Sequence, residues 1–168
     1  MKTKIAFVNL IIFALICFGC QKLDLKRDGY FILKANGKRI AYNKCYSQTT
    51  IDNSGSSPVY FNEICAYTRD ANTDSIRPKI LIYFNGNTIG SYTTYNPSQG
   101  LLAAIIHFNN NIYEFPMYNS AVIDLEIDKY NTSAKEIKGS LSGKFYNVNN
   151  SSDFIDVKKS DFCARGGS

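Results

Sequence analysis

The stretch AVIDLEIDKY, Ala121 to Tyr130, alternates apolar and polar side chains without a break from Ile123 to Asp128. Ile123, Leu125 and Ile127 fall on one side of an extended chain and Asp124, Glu126 and Asp128 on the other, which is the period of a strand with one buried face. A polar turn, Asn131 to Ala134, follows. The next run, Lys135 to Tyr146, then places Ile137, Leu141 and Phe145 inward and Lys138, Ser140, Ser142 and Lys144 outward. The pair predicts an antiparallel hairpin whose outer lysines answer the three carboxylates. Same-face carboxylates stand roughly 6.5 to 7 Å apart along a strand, too far for all three to reach one hard cation, so a metal site is not expected there.

Outward from this hairpin the chain reads as strand and turn throughout. Tyr30 to Ala35 and Lys38 to Tyr46 flank Asn36-Gly37, the two-residue signal for a hairpin turn with positive φ at both positions. Val59 to Thr68 follows the turn-rich Asp52 to Pro58. Lys79 to Phe84 and Leu101 to Phe108 are apolar on both faces and read as central strands. Thr88 to Tyr95 is a strand interrupted at Gly90, Ile112 to Phe115 returns after an Asn turn, and a last strand lies within Asp153 to Ala164. No helical period is sustained after residue 20, and the apolar set leans on Ile, Tyr and Phe. About nine short strands predict an all-β domain, a two-sheet antiparallel β-sandwich or a partly open barrel.

The first residues predict where this domain lives. Lys2 and Lys4 precede an apolar run, Ile5 to Phe18, that closes on Gly19-Cys20. This is the outline of a secretory signal peptide, and the run is shorter than the ~20 residues of a spanning helix. The ending resembles a bacterial lipoprotein signal, which implies acylation of Cys20 as the first residue of the mature chain. Residues 1–19 are then the signal, 20–28 a tether and 29–168 a single domain. In the same resemblance, Gln21 after the cysteine fits delivery to the outer membrane, on its periplasmic or cell-surface face. Lys2 and Lys4 carry two of the five net positive charges, and the remaining cations are scattered, so an exported chain of this kind is not expected to bind nucleic acid.

Export also favours disulfides. A hairpin centred near Ser54-Gly55 sets Cys45 opposite Cys65, and a bond between them would close a loop of ~20 residues and stabilise by roughly 3 kcal/mol. Cys163 is left as a buried thiol or an intermolecular handle, burial being the simpler outcome.

The order of parts resembles a group of small all-β lipoproteins of Bacteroidota. Phe31 to Lys38, Asn87 to Tyr95 with its Gly-Ser-Tyr-Thr core, and Ile137 to Tyr146 carry the likeness. It implies fold and location, with no catalytic motif to transfer. Asp74-Ser75-Ile76 resembles the short O-glycan acceptor of exported proteins in that phylum.

No arrangement for catalysis stands out. His107 is the single histidine, with no serine elbow, Cys-His signature, phosphate loop or metal-ligand spacing around it. No catalytic residue, metal or cofactor is expected. Twelve tyrosines in a chain without tryptophan are the remaining feature. Tyr92, Tyr95, Tyr113 and Tyr118 fall in or beside loops where their rings could stack on a sugar or fill a partner's pocket, although tyrosine is equally an ordinary strand residue. The expectation is a lipid-anchored, non-catalytic binding or accessory protein. Its partner is a protein, as for an inhibitor or immunity protein, or alternatively a glycan or small ligand held by the loop tyrosines.

Overall fold

A computed structural model describes residues 29–69, 76–93, 100–115 and 123–166. The signal, Cys20, the tether, Asp74-Ser75, Tyr95 and Tyr118 lie outside them. The described chain is all β: β1 (Tyr30–Ala35), β2 (Lys38–Tyr42), β3 (Lys44–Asp52), β4 (Val59–Arg69), β5 (Ile76–Asn85), β6 (Gly90–Tyr92), β7 (Leu101–Phe108), β8 (Asn111–Glu114), β9 (Asp124–Asn131), β10 (Glu136–Asn147) and β11 (Asn150–Gly166). Asn36 and Gly37 both take positive φ, 47° and 74°, and close the β1–β2 hairpin with Ala35 opposite Lys38. Asn109 and Asn110, at 48° and 65°, do the same between β7 and β8.

Eleven strands rather than about nine are joined, and by hydrogen bonds they form one sheet rather than two, in the order β2-β1-β11-β3-β4-β5-β7-β8-β10-β9-β6. A further pairing of β11 with β10 closes the run from β11 through β3, β4, β5, β7 and β8 to β10 into a ring. β11 makes this closure possible through its length. One of its edges holds β10 from Asn150 to Arg165, and the other holds β1 up to Cys163 and then β3 at Arg165 and Gly166. The expected strand Lys38 to Tyr46 breaks at Asn43, because the chain leaves β1 there and crosses to β11. Gly29 permits the crossing: at φ 76° it packs where a Cβ would collide with the carbonyl oxygens of Cys45 and Cys163.

The ring encloses the core. Cys45, Ile64 and Ala66, then Ile80, Ile82 and Phe84, then Ala104 and Ile106 point inward from successive strands, and Phe31 stacks on Phe162 across β1 and β11 at 5.7 Å. Burying each isoleucine or phenylalanine among them stabilises by roughly 1.5 to 3 kcal/mol.

Register decides the cysteines. The β3–β4 hairpin turns one residue later than its sequence suggests, so Cys45 opposes Ala66 and Cys65 opposes Tyr46. A one-residue slip sends a side chain to the other face of the sheet. Cys45 therefore points into the core and Cys65 outward, and both are buried free thiols, as is Cys163. The proposed disulfide is not formed.

The acidic strand is corrected in the same way. The β9–β10 ladder shifts between Lys138 and Gly139, which leaves Lys129 opposite Lys138. Both lysines bond Glu136, at 2.8 and 3.3 Å, with Arg165 at 3.4 Å, while Lys144 lies opposite Asp156. Glu126 accepts instead from Ser91 Oγ at 2.8 Å. The anion that gathers cations from β9, β10 and β11 is thus Glu136 on β10, and not one of the three carboxylates of β9.

Candidate functional site

Beyond the Phe61–Asn85 pair that ends the contact of β4 with β5, the tip of the β3–β4 hairpin forms a short arm. Gln48 to Asp52 are all exposed, and Ile51 on one face of the hairpin and Val59 and Phe61 on the other stand 49%, 37% and 40% accessible. At the root of this arm lies a cleft of about 680 Å³. Tyr46, Gln48, Thr49 and Ile51 of β3 and Tyr60 and Tyr67 of β4 form one wall. Tyr130 at the end of β9, with the turn that contains Thr132 and Lys135, forms the other. Side chains from both faces of β3 line the cleft, so the edge of the strand itself is exposed along it.

Four tyrosines thus meet at one place. Tyr46 and Tyr67 pack ring to ring at 5.7 Å and 56°. Tyr130 reaches across: its Oη donates to Asn62 Oδ1 at 2.7 Å and lies 3.3 Å from Thr49 Oγ1. Asn62 is buried, and it also accepts from Thr49 Oγ1 at 2.8 Å and donates to the Gly86 carbonyl at 2.6 Å. This network fixes both walls relative to each other.

Protonation states suit hydrogen bonding more than chemistry. Cys65 Sγ donates to Glu63 Oε1 at 2.9 Å, and burial together with that carboxylate pushes the thiol up to about 12. Burial, and then the Cys65 contact, raise Tyr67 well above its ordinary value. Burial raises Tyr130 too, against the pull of Thr49. At neutral pH Tyr67 and Tyr130 therefore keep their hydroxyl protons and Cys65 its thiol proton, in a cleft that Glu63 and Lys135 also line. A thiol is a competent nucleophile only as thiolate.

The tyrosines chosen from sequence go elsewhere. Tyr92 is fully buried, edge-on to Phe84 at 4.9 Å, with its hydroxyl donating to the Thr88 carbonyl at 2.7 Å. Tyr113 is buried as well, and its hydroxyl donates to Asp153 at 3.0 Å. Both point inward from their strands, so neither can meet a ligand. Tyr95 and Tyr118 lie outside the described residues. His107 is half-buried on β7, and burial, then the cation of Lys79, lower its pKa. Among the described residues no group of three or more His, Cys, Asp or Glu could hold a metal ion. One signal for the cleft was present in the sequence: Gln48 to Asp52 is β-branched and polar, a strand continuing beyond its buried part.

No protein-family model, curated protein or solved structure matches this chain.

Proposed function

We propose that this chain is a lipid-anchored, extracytoplasmic binding protein without catalytic activity, held in the outer membrane by an acylated Cys20, whose partner is another protein. The observation that carries the reading is the juxtaposition of the tyrosine cleft with the exposed arm. Tyr46, Tyr60, Tyr67 and Tyr130 offer wide, rigid rings with hydroxyl tips; Ile51 lies opposite Tyr60 and lines the cleft with them, while Val59 and Phe61 are open on the other face of the hairpin, that of Tyr46 and Tyr67. Aromatic anchors in a recess, rimmed by polar groups, are how protein interfaces concentrate their energy. The neutral thiol and hydroxyls of the cleft support the non-catalytic part of the reading.

A glycan or small ligand is the second reading, favoured by the concavity: about 680 Å³ lies in the usual range for small-molecule sites. One experiment separates the two. The full chain is tagged, recovered from gently solubilised membranes, and analysed by mass spectrometry for co-purifying proteins and for its own intact mass. A stoichiometric protein, lost when Tyr60→Ala and Ile51→Ala are introduced together, supports the first reading. A bait that emerges alone and then captures sugars on an array supports the second. A mass without acyl groups on Cys20 sinks the anchor.

A further inference from the structure

β3 is paired along its whole length with β4, from Lys44 opposite Tyr67 to Asp52 opposite Val59. Its other edge is paired only at Tyr46 and Ser47, where Arg165 and Gly166 of β11 run parallel to it. Among the described residues nothing pairs with that edge from Gln48 to Asp52. At about 3.3 Å per residue this leaves roughly 16 Å of unmatched backbone N–H and C=O groups along the cleft.

Proteins ordinarily guard such edges with charge, brevity or bulges. The two ends of the strand order are guarded: β2 is five residues beginning Lys38-Arg39, and β6 is three residues long. The β3 edge carries no Lys, no Pro and no bulge, and reads Gln48-Thr49-Thr50-Ile51 before its single charge at Asp52. Of the stretches with one neighbour among the described residues, it is the one that borders the tyrosine cleft.

Which chemistry fits follows from its surroundings. Amides and carbonyls repeating at strand spacing are matched by another extended polypeptide, and a sugar has no such repeat. The lane is the continuation of the one β11 already occupies beside Tyr46 and Ser47. The edge is also recessed, because the turn with Thr132 and Lys135 faces it across the cleft. A second copy would bring its own recessed edge, and two recesses do not mate; a single strand fits. We infer that the edge of β3 from Gln48 to Asp52 accepts an extended segment of a partner protein as an added strand, with alternate side chains of that segment entering the tyrosine cleft. This rests on the protein-binding reading given above and names its mode.

The test uses the full chain in detergent and a displayed library of random linear peptides as probe. A selected peptide is remade with N-methyl groups on alternate backbone nitrogens. Strand addition predicts that one of the two methylation patterns weakens binding by roughly two- to tenfold per blocked amide, while the other leaves it intact. Amides within Gln48 to Asp52 should gain protection from hydrogen exchange when the unmethylated peptide is added. Thr50→Pro should abolish binding, and if that variant fails to fold, the methylation and exchange arms decide alone. Binding indifferent to both methylation patterns, or protection elsewhere than on β3, overturns the added strand and leaves a binding protein. So does a library that yields nothing while the membrane pull-down returns a partner. A dimer of the full chain, lost in Thr50→Pro, replaces the peptide by a second copy and overturns the inference. If library, pull-down and sugar array are all empty, the binding reading falls with it.

Discussion

Tyr130 and Asn62 lie 68 residues apart in the chain, and the tyrosine hydroxyl donates to the amide oxygen at 2.7 Å. With Thr49 also donating to that oxygen, and the amide nitrogen facing the Gly86 and Phe84 carbonyls at 2.6 and 3.5 Å, the hydrogen-bonding capacity of Asn62 is filled. Asn62→Ala should leave Tyr130 and Thr49 without their acceptor and lower stability by roughly 1 to 3 kcal/mol. Tyr130→Phe removes one bond and should cost about 1 kcal/mol. Urea denaturation checks both, and a smaller loss for Asn62→Ala than for Tyr130→Phe would show that the network does not centre on Asn62.

Glu136 makes stability depend on acid. Lys129 bonding it first, and then Lys138, hold its carboxyl down to about 2 from an ordinary 4.5, against the opposing effect of burial. A depressed carboxylate stabilises the folded chain above its unfolded value, and that contribution is lost as pH falls through its folded value. Stability should therefore decline between about pH 4.5 and pH 2. Glu136→Gln should flatten that limb and, because the three cations are only half-buried, cost roughly 1 to 2 kcal/mol at neutral pH. Denaturation curves across this range give the answer.

The three thiols should be found as thiols. Non-reducing peptide mapping of the full chain is expected to recover Cys45, Cys65 and Cys163 unlinked, since Cys45 and Cys65 occupy opposite faces of the sheet. Iodoacetamide at pH 8 should modify Cys65 far more slowly than a free cysteine, because its thiol titrates near 12. A Cys45–Cys65 peptide in the map would contradict the register of the β3–β4 hairpin.

Tyr92 serves the fold, which a mutation can demonstrate. Its hydroxyl both donates to the Thr88 carbonyl and accepts from the Thr88 amide at 3.2 Å, so Tyr92→Phe should cost roughly 1 to 2 kcal/mol and leave binding untouched. Gly86 sits at φ 124° with its missing Cβ 2.7 Å from the Tyr92 ring. Gly86→Ala should lower stability by roughly 1 to 3 kcal/mol, measured as a fall in melting temperature.

Local chemistry made the strands legible and left their pairing obscure. Tyr30–Ala35, read from its alternation, and Leu101–Phe108, read as an apolar run before an Asn turn, have the bounds expected of them, and Asn36-Gly37 supplies the turn that its residue types demand. Such signals act over a few residues. The β3–β4 connection is longer, and a loop of that length admits neighbouring registers that differ only in which face each side chain takes. Burial of Cys45, Ile64 and Ala66 selects among them, and it depends on β5 and β11, strands far away in sequence. The cleft was obscure for the same reason. Tyr46, Tyr60, Tyr67 and Tyr130 come from three strands, and no spacing announces that they meet. Tyr92 and Tyr113 were legible as strand residues beside loops, but which way they face depends on the pairing of β6 with β9 and of β8 with β7, and that pairing buries them.

β11 holds a neighbour on each side for most of its length, and it is the most C-terminal strand described. While a ribosome is still making residues before Asn150, β1, β3 and β10 all lack their common partner. The barrier to folding then contains the closure of long loops, from Tyr30 to Cys163 and from Tyr46 to Arg165, and pairings of such separation are slow to form. A chain emerging in order of synthesis would thus lack the strand that ties β1, β3 and β10 together, and stay unfolded, until β11 arrives.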